Sequence, residues 1–402
     1  MPELDIDCLA RIVFEVEWES SEAVHREYFL GRKVNMWRDI FPPGMKEELM
    51  GKSPGDEVSF AYGPGKIVRG RCEKDILEVK RKNFRVRKFL GRPVYPREGR
   101  FYPRGLIGGG ACFSGEILPC RIQSLQDVTL TVDFAHPLAD TNLNVRARLE
   151  DLSPKGGDVG GTSNHWMEEI LGTGPGMQAR RDGGLPTDFF YPGCFERLDE
   201  SPDSKFYENP RFVEHIDSQA REFLVQEYSR VLQPGSNILD LMSSVESHLP
   251  QNRDFKVTGL GLNSEEMASN PRLDSYLEHD LNQYPHLPFA DSSFDALLCS
   301  LSVEYLTHPW TVAREIARVL RPGGKVLISA SNRWFPPKVV RLWQEMHEFE
   351  RVGFMLDLLL QTEAFRNLES TSIRNWWRPD DDPHSQQTWI SDPVYVVQGI
   401  RV

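Results

Sequence analysis

The chain has 402 residues and a formal net charge of −12, with 40% hydrophobic and 26% charged side chains. That composition is globular rather than disordered, and the length suits two to four domains. The six cysteines include no Cys-x-x-Cys pair, which argues against a zinc ribbon and a disulfide framework. No apolar run reaches the ~18 residues of a membrane span, and Met1-Pro2-Glu3-Leu4-Asp5-Ile6-Asp7 lacks the apolar core of a signal peptide. A reduced, cytoplasmic protein is expected. The charge is lopsided. Residues 1–150 carry 24 Lys/Arg against 22 Asp/Glu, and the rest carry 23 against 37. Residues 66–104 hold 14 basic and 4 acidic side chains. An acidic protein with one basic block is not a general nucleic-acid binder. The block reads either as a solvated pair of strands or as a docking surface for an anionic partner.

In chain order, Arg11–Trp18 alternates apolar and charged residues and predicts a half-buried strand. A short helix within 42–57 stops at Gly51. Pro54-Gly55-Asp56 then turns into a strand at Val58–Tyr62, and strands follow at Glu116–Gln123, Val128–Phe134 and Leu143–Leu149. Residues 151–210 have the glycine-rich composition of a joint. The Gly172/Gly174/Gly176 spacing in it is not a phosphate loop, because no strand precedes it and Pro175 disturbs a helix start. From 211 helices and strands alternate. A helix over Arg211–Leu232 precedes strands at Asn237–Met242, Lys256–Leu262, Tyr276–Asp280 and Ala296–Ser300. Next come a helix at Trp310–Leu320, a strand at Lys325–Ala330, helices within 338–364 and a last strand at Val394–Val397. This alternation predicts a doubly wound α/β sheet, with a ligand crevice outside the carboxyl ends of its strands.

The runs Leu287-Pro288-Phe289-Ala290-Asp291-Ser292-Ser293-Phe294-Asp295-Ala296 and Glu315-Ile316-Ala317-Arg318-Val319-Leu320-Arg321-Pro322-Gly323-Gly324-Lys325 stand in order and spacing over roughly 211–402. Here the chain resembles the class I S-adenosylmethionine-dependent methyltransferases. The resemblance implies a Rossmann-like domain and S-adenosylmethionine as cofactor. It also implies a Gly-x-Gly-x-Gly loop after an acidic strand end. Asp240 keeps the acidic place, but Met242, Ser244 and Glu246 take the glycine places, with Ser243 between them. The second acidic place, for the ribose, falls on Gly261, and Asn263, Glu265 or Glu266 stand as substitutes. Asp280 and Leu281 match the adenine-contacting position. Three readings of the loop stay open: cofactor binding by a variant loop, a retained fold without binding, and a different ligand. For catalysis the candidates are Glu304 and Tyr305, just after the fourth strand. His248 follows the loop, and Asn332-Arg333-Trp334 follow the fifth strand.

Leu49-Met50-Gly51-Lys52-Ser53-Pro54-Gly55-Asp56, Ala61-Tyr62-Gly63 and Val132-Asp133-Phe134-Ala135-His136-Pro137-Leu138-Ala139, followed by Leu143-Asn144-Val145, carry a second resemblance over roughly 30–150. They resemble the SlyD-like FKBP-type peptidyl-prolyl isomerases. The resemblance implies an α+β, antiparallel-sheet domain, an aromatic pocket containing Tyr62, and a client-binding insertion at the basic block of 66–104. The family's histidine-rich metal-binding tail is absent, so no metal site is expected. The expected organisation is an FKBP-type domain over 1–150, a joint over 151–210 and a methyltransferase-like domain over 211–402. The first domain, isomerase or chaperone-like, would present a polypeptide client to the second. The alternatives are a non-enzymatic assembly module with degenerate sites, and a small-molecule methyltransferase whose FKBP part only aids folding.

Overall fold

The computed structural model describes residues 3–89, 92–110, 112–156, 161–173, 187–251, 254–348 and 350–402. The chain divides into two compact units. The first is Met1–Phe189 with Glu345–Arg351 and Ile373–Trp376. The second is Phe190–Gln344 with Val352–Ser372 and Trp377–Val402.

The first unit is built on β1 (Cys8–Glu19), β2 (Ala23–Asn35), β3 (Glu57–Tyr62) and β10 (Leu143–Pro154), antiparallel in the order β2-β1-β10-β3. In β1 the period of two buries Ile12, Phe14, Val16 and Trp18. Helix α1 (Met45–Leu49) adds Met45 and Leu49 to that core and ends before Gly51, whose φ of 78° suits glycine. Between β3 and β10 lie β4 (Ile76–Lys80), β5 (Arg87–Phe89), β6 (Arg92–Val94), β7 (Phe101–Pro103), β8 (Pro119–Leu125) and β9 (Thr129–Asp133). Strands β4-β9-β8-β7 form a second antiparallel sheet around Tyr102, Ile107, Ile122, Leu130 and Val132, and β5 pairs with β6. The stretch that forms this second sheet runs from β4 to β9, past the basic block of 66–104. Its sheet closes only when β8 and β9 pair with β7 and β4, contacts too distant in sequence for local periodicity to reveal. Strand β2 was not expected at all.

Residues 151–210 are not a plain joint in their described parts. Strand β10 runs to Pro154, and α2 (Trp166–Leu171) buries Trp166, Met167, Ile170 and Leu171 in the first unit's core. From Phe190 the chain belongs to the second unit. Residues 157–160 and 174–186, with Gly174, Gly176 and Gly183-Gly184, lie outside the described residues. Also inside the first unit, Arg100 and Glu350, 1% and 0% exposed, form a two-pronged ion pair at 2.9 and 3.1 Å.

The second unit contains α3 (Asp203–Phe206), α4 (Ser218–Val231), β11 (Asn237–Leu241), β12 (Lys256–Gly261), α5 (Ser264–Ser269), β13 (Ser275–Glu278), β14 (Phe294–Ser300), α6 (Pro309–Val319) and β15 (Leu320–Ala330). After them come α7 (Arg341–Glu345), α8 (Glu350–Leu360), β16 (Phe365–Arg374) and β17 (Val394–Arg401), with the ends of α7, α8 and β16 reaching into the segments of the first unit. The strand order is β13-β12-β11-β14-β15-β17-β16, parallel from β13 to β15, with β17 antiparallel to β15. This is the doubly wound α/β sheet expected, with β16 and α5 added to the forecast. Helix α4 starts seven residues later than the spacing predicts, because Asp217 caps it by accepting from Ala220 N at 3.0 Å. Its Tyr228 hydroxyl reaches Ser300 Oγ at 2.7 Å and Ser329 Oγ at 2.9 Å, which fixes the helix over β14 and β15. From β11 the chain first builds outward to β12 and β13, then returns to the other side at β14. The strand order reverses between β11 and β14, which places the crevice at their carboxyl ends. No helix among the described residues is long and apolar enough to cross a membrane.

Candidate functional site

A cavity of about 360 Å³ opens at those carboxyl ends, of the size that holds small ligands. Asp240, at the end of β11, is 2% exposed, and its Oδ2 accepts from Ser243 Oγ and Ser247 Oγ, both at 2.7 Å. Burial raises its carboxyl to about 6 against the pull of those two hydroxyls. The serines in the variant loop thus serve as donors to the buried acid. Ser244 Oγ donates to Glu266 Oε2 at 2.6 Å, and Asn270 Nδ2 donates to Ser244 O at 2.9 Å and to Ser247 Oγ at 3.0 Å. Of the three lost glycine places only Met242 takes a left-handed backbone, at φ 59°. Ser244 and Glu246 fit without it. Strain reappears at His248, φ 54°, a buried side chain whose imidazole burial holds neutral at about 3. His248 Nδ1 lies 3.7 Å from Glu246 Oε2, and Glu246 also meets Arg221 at 3.3 Å.

Gly261 explains the missing ribose carboxylate. A Cβ there would fall against the Ser243 carbonyl oxygen and 3.1 Å from Met267 Sδ. The loop runs too close to the end of β12 for any side chain. Asn263 lines the cavity with its side chain engaged: its Oδ1 caps α5 by accepting from Glu265 N and Glu266 N, both at 3.0 Å, and its Nδ2 donates to Tyr207 O at 2.9 Å. Asp280 Oδ1 accepts from Asn282 N and Gln283 N at 2.9 and 3.2 Å, while its Oδ2 accepts nothing among the described residues.

Asp240, Met242, Ser243, Ser244, Asn263, Asp280 and Leu281 all line this one cavity, and so does Tyr305. Tyr305 accepts from Phe335 N at 2.8 Å, and burial beside Glu304 pushes its phenol far up, so it can donate a hydrogen bond but is no base. Glu304 is fully buried and is not among the lining side chains, contrary to its expected place at the reacting centre. The 3-10 turn Val303–Tyr305 turns consecutive side chains to different sides. Tyr62 lies in the first unit, stacked on Phe60, with its hydroxyl donating to Pro43 O at 2.9 Å. His136 accepts from Leu138 N at 3.0 Å and meets Leu171 O at 3.3 Å.

Sequence reasoning missed one wall. The segment before α4 contributes Arg197, Asp203, Tyr207, Arg211 and His215, and Lys338 joins from beyond β15. Arg197 Nη1 holds both Asp203 oxygens at 2.7 Å, and Lys338 Nζ lies 3.2 Å from Asp203. These residues show no periodicity. Arg197, Asp203 and Tyr207 fall in what read as a joint, Arg211 and His215 in what read as the first turns of a helix, and Lys338 at the start of a stretch read as helical.

The residues suit S-adenosylmethionine in part. Asp280 Oδ2 can accept from an adenine amine beside the apolar Leu281, while the ribose meets no carboxylate at the end of β12. Among the described residues no cluster of His, Cys, Asp and Glu can hold a metal.

Residues 246–328 match the family model described as methyltransferase domain. The match begins inside the variant loop, just past the substituted glycine places 242 and 244. A demethylmenaquinone methyltransferase of Paenarthrobacter aurescens is 28% identical over 169 residues, 39% of this chain and 61% of that protein. A malonyl-[acyl-carrier protein] O-methyltransferase of Erwinia pyrifoliae is 37% identical over 94 residues, 22% of this chain and 34% of that one. The chain thus spans less than two thirds of either relative. A putative methyltransferase structure from Bacillus halodurans superposes with a TM-score of 0.32 at 12% identity, over 46% of this chain and 99% of that chain. Within the second unit, residues 246–328 are thus similar to a methyltransferase domain, and S-adenosylmethionine is the cofactor to which that likeness points.

Proposed function

We propose that the second unit transfers a methyl group from S-adenosylmethionine to a small-molecule acceptor. The observation that carries this reading is the convergence of the loop after β11, the start of α5, Asp280-Leu281 and Tyr305 on one cavity. The relatives named for demethylmenaquinone and malonyl-[acyl-carrier protein] favour a small acceptor. Bound cofactor would supply an electrophilic methyl group. The chain's part is to align the acceptor with it and exclude water, work for which proximity accounts for most of the rate. Tyr305 is placed to donate a hydrogen bond to an acceptor oxygen. Calorimetric titration with S-adenosylmethionine tests the reading. Saturable heat is expected, weakened about tenfold or more in Asp280→Ala. Folded protein giving no heat at millimolar ligand rejects it.

A second reading concerns the first unit: an FKBP-type, SlyD-like part that handles polypeptide. The supporting observation is the antiparallel sheet between β3 and β10, whose edge strand β4 lies in the basic block of 66–104 and exposes Ile76 and Leu77. Proline-limited refolding of a model substrate, with parent and with Ile76→Ser/Leu77→Ser, separates catalysis from client holding. No acceleration at equimolar protein rejects isomerase activity. We place the protein in the cytoplasm, a reading that six free cysteines support.

A further inference from the structure

The lysine and arginine side chains that line the cavity pair off, all but one. Arg197 is held by Asp203 at 2.7 Å, Lys338 by Asp199 and Asp203 at 3.3 and 3.2 Å, and Arg333 by Asp392 at 3.4 Å and His384 at 2.7 Å. Arg211 differs. Among the described residues no carboxylate lies within ion-pair reach of it. Its Nη2 donates to Phe206 O at 3.0 Å, and its Nη1 is buried without an acceptor. The guanidinium carbon stands 4.2 Å from the centre of the Phe206 ring and 5.3 Å from those of Tyr207 and Phe335. Three rings strip water from the cation and hold its plane, and a planar fork of donors in such a place matches a carboxylate. The nearby Glu266 is already engaged, accepting from Arg211's own backbone N at 2.8 Å and from Ser244. A buried donor without a partner in a cavity wall asks for a ligand atom.

We propose that Arg211 is the carboxylate anchor of this cavity, receiving a ligand carboxylate through paired in-plane hydrogen bonds. The assignment rests on the methyltransferase reading, whose two ligands can each bring that group: the methionine portion of the cofactor, or an acidic acceptor. Calorimetric titration of the full chain, parent against Arg211→Gln and Arg211→Lys, distinguishes them. The ligands are S-adenosylmethionine and its decarboxylated analogue, followed by benzoate into protein saturated with S-adenosylhomocysteine.

With a cofactor carboxylate, Arg211→Gln weakens S-adenosylmethionine at least about tenfold and leaves the decarboxylated analogue unchanged, which also shows that the variant is folded. Arg211→Lys, which keeps the charge but not the fork, falls between. With an acceptor carboxylate, both adenosyl compounds bind all three chains alike, and benzoate binds the parent but not Arg211→Gln. The assignment is overturned if the adenosyl ligands bind parent and variants alike while benzoate does not discriminate. An equal loss for S-adenosylmethionine and its decarboxylated analogue marks Arg211 as packing support and overturns it as well. A parent that takes up no adenosyl ligand overturns the methyltransferase reading together with the assignment.

Discussion

A methyl group on Gly261 would collide with the Ser243 carbonyl, a backbone atom that cannot swing aside. Gly261→Ala should therefore lower stability by about 1–3 kcal/mol, read as a drop in thermal midpoint. Restoring the family's acid with Gly261→Asp should lose stability without tightening S-adenosylmethionine; a tighter complex would show that the loop yields. Asp240 carries a pH signature. Its carboxyl titrates near 3.8 when unfolded and about 6 here. Between those values the native state holds a proton that the unfolded chain has lost. The contribution of Asp240 to stability therefore falls as pH rises from about 4 to about 6, by about 3 kcal/mol at full extent. Asp240→Asn should flatten that slope in urea midpoints taken at pH 4.5 and 7, and unchanged slopes would contradict the buried assignment. At this scale the sequence was legible where chemistry sits at strand ends: Asp240, Asp280 and Leu281 reach the cavity. It was silent where backbone approach decides, as at Gly261, and where aromatic rings gather around a cation, as at Arg211.

Among the elements, α4 is set by its start. Asp217 caps the helix at Ala220 N, accepts from Ser391 Oγ at 2.9 Å and from Asp392 N at 2.6 Å, and lies 3.5 Å from Arg378. Asp217→Ala removes the cap and leaves buried donors unmatched, so a loss of about 2 kcal/mol or more is expected in equilibrium unfolding. A loss under about 0.5 kcal/mol would mean that Asp392 and water replace it. The start of α4 was misread because helical spacing continues back through Phe212 and Ile216, while the helix begins where a side chain can satisfy its first amides. Strand β9 was legible at Val128–Phe134, but β4 and its pairing with β9 were hidden for a different reason: a sheet closed between residues 76 and 133 is specified by pairing partners and not by one strand's own pattern.

For the whole molecule, the division into units is not a division of the chain into halves. The first unit includes Glu345–Arg351 and Ile373–Trp376. A fragment ending at residue 189 would lose Glu350 from Arg100, and a buried cation stripped of its partner costs about 3–5 kcal/mol. Such a fragment should show weak amide protection or aggregate, whereas the full chain carrying Glu350→Gln should fold with reduced stability. A fragment as protected as the intact protein would refute the dependence. Composition and periodicity gave no hint of this, since a seven-residue segment donated across more than 200 residues leaves no local trace.

That borrowed segment also sets an order in time. Ribosomes add roughly 5–20 residues per second. From the end of the first long piece at residue 189 to Glu350 is about 160 residues, so roughly 8–32 s pass before Arg100 can meet its carboxylate. During that interval the nascent N-terminal sheets must wait, complete in sequence but unfinished in packing, and their final closure becomes a late event of synthesis.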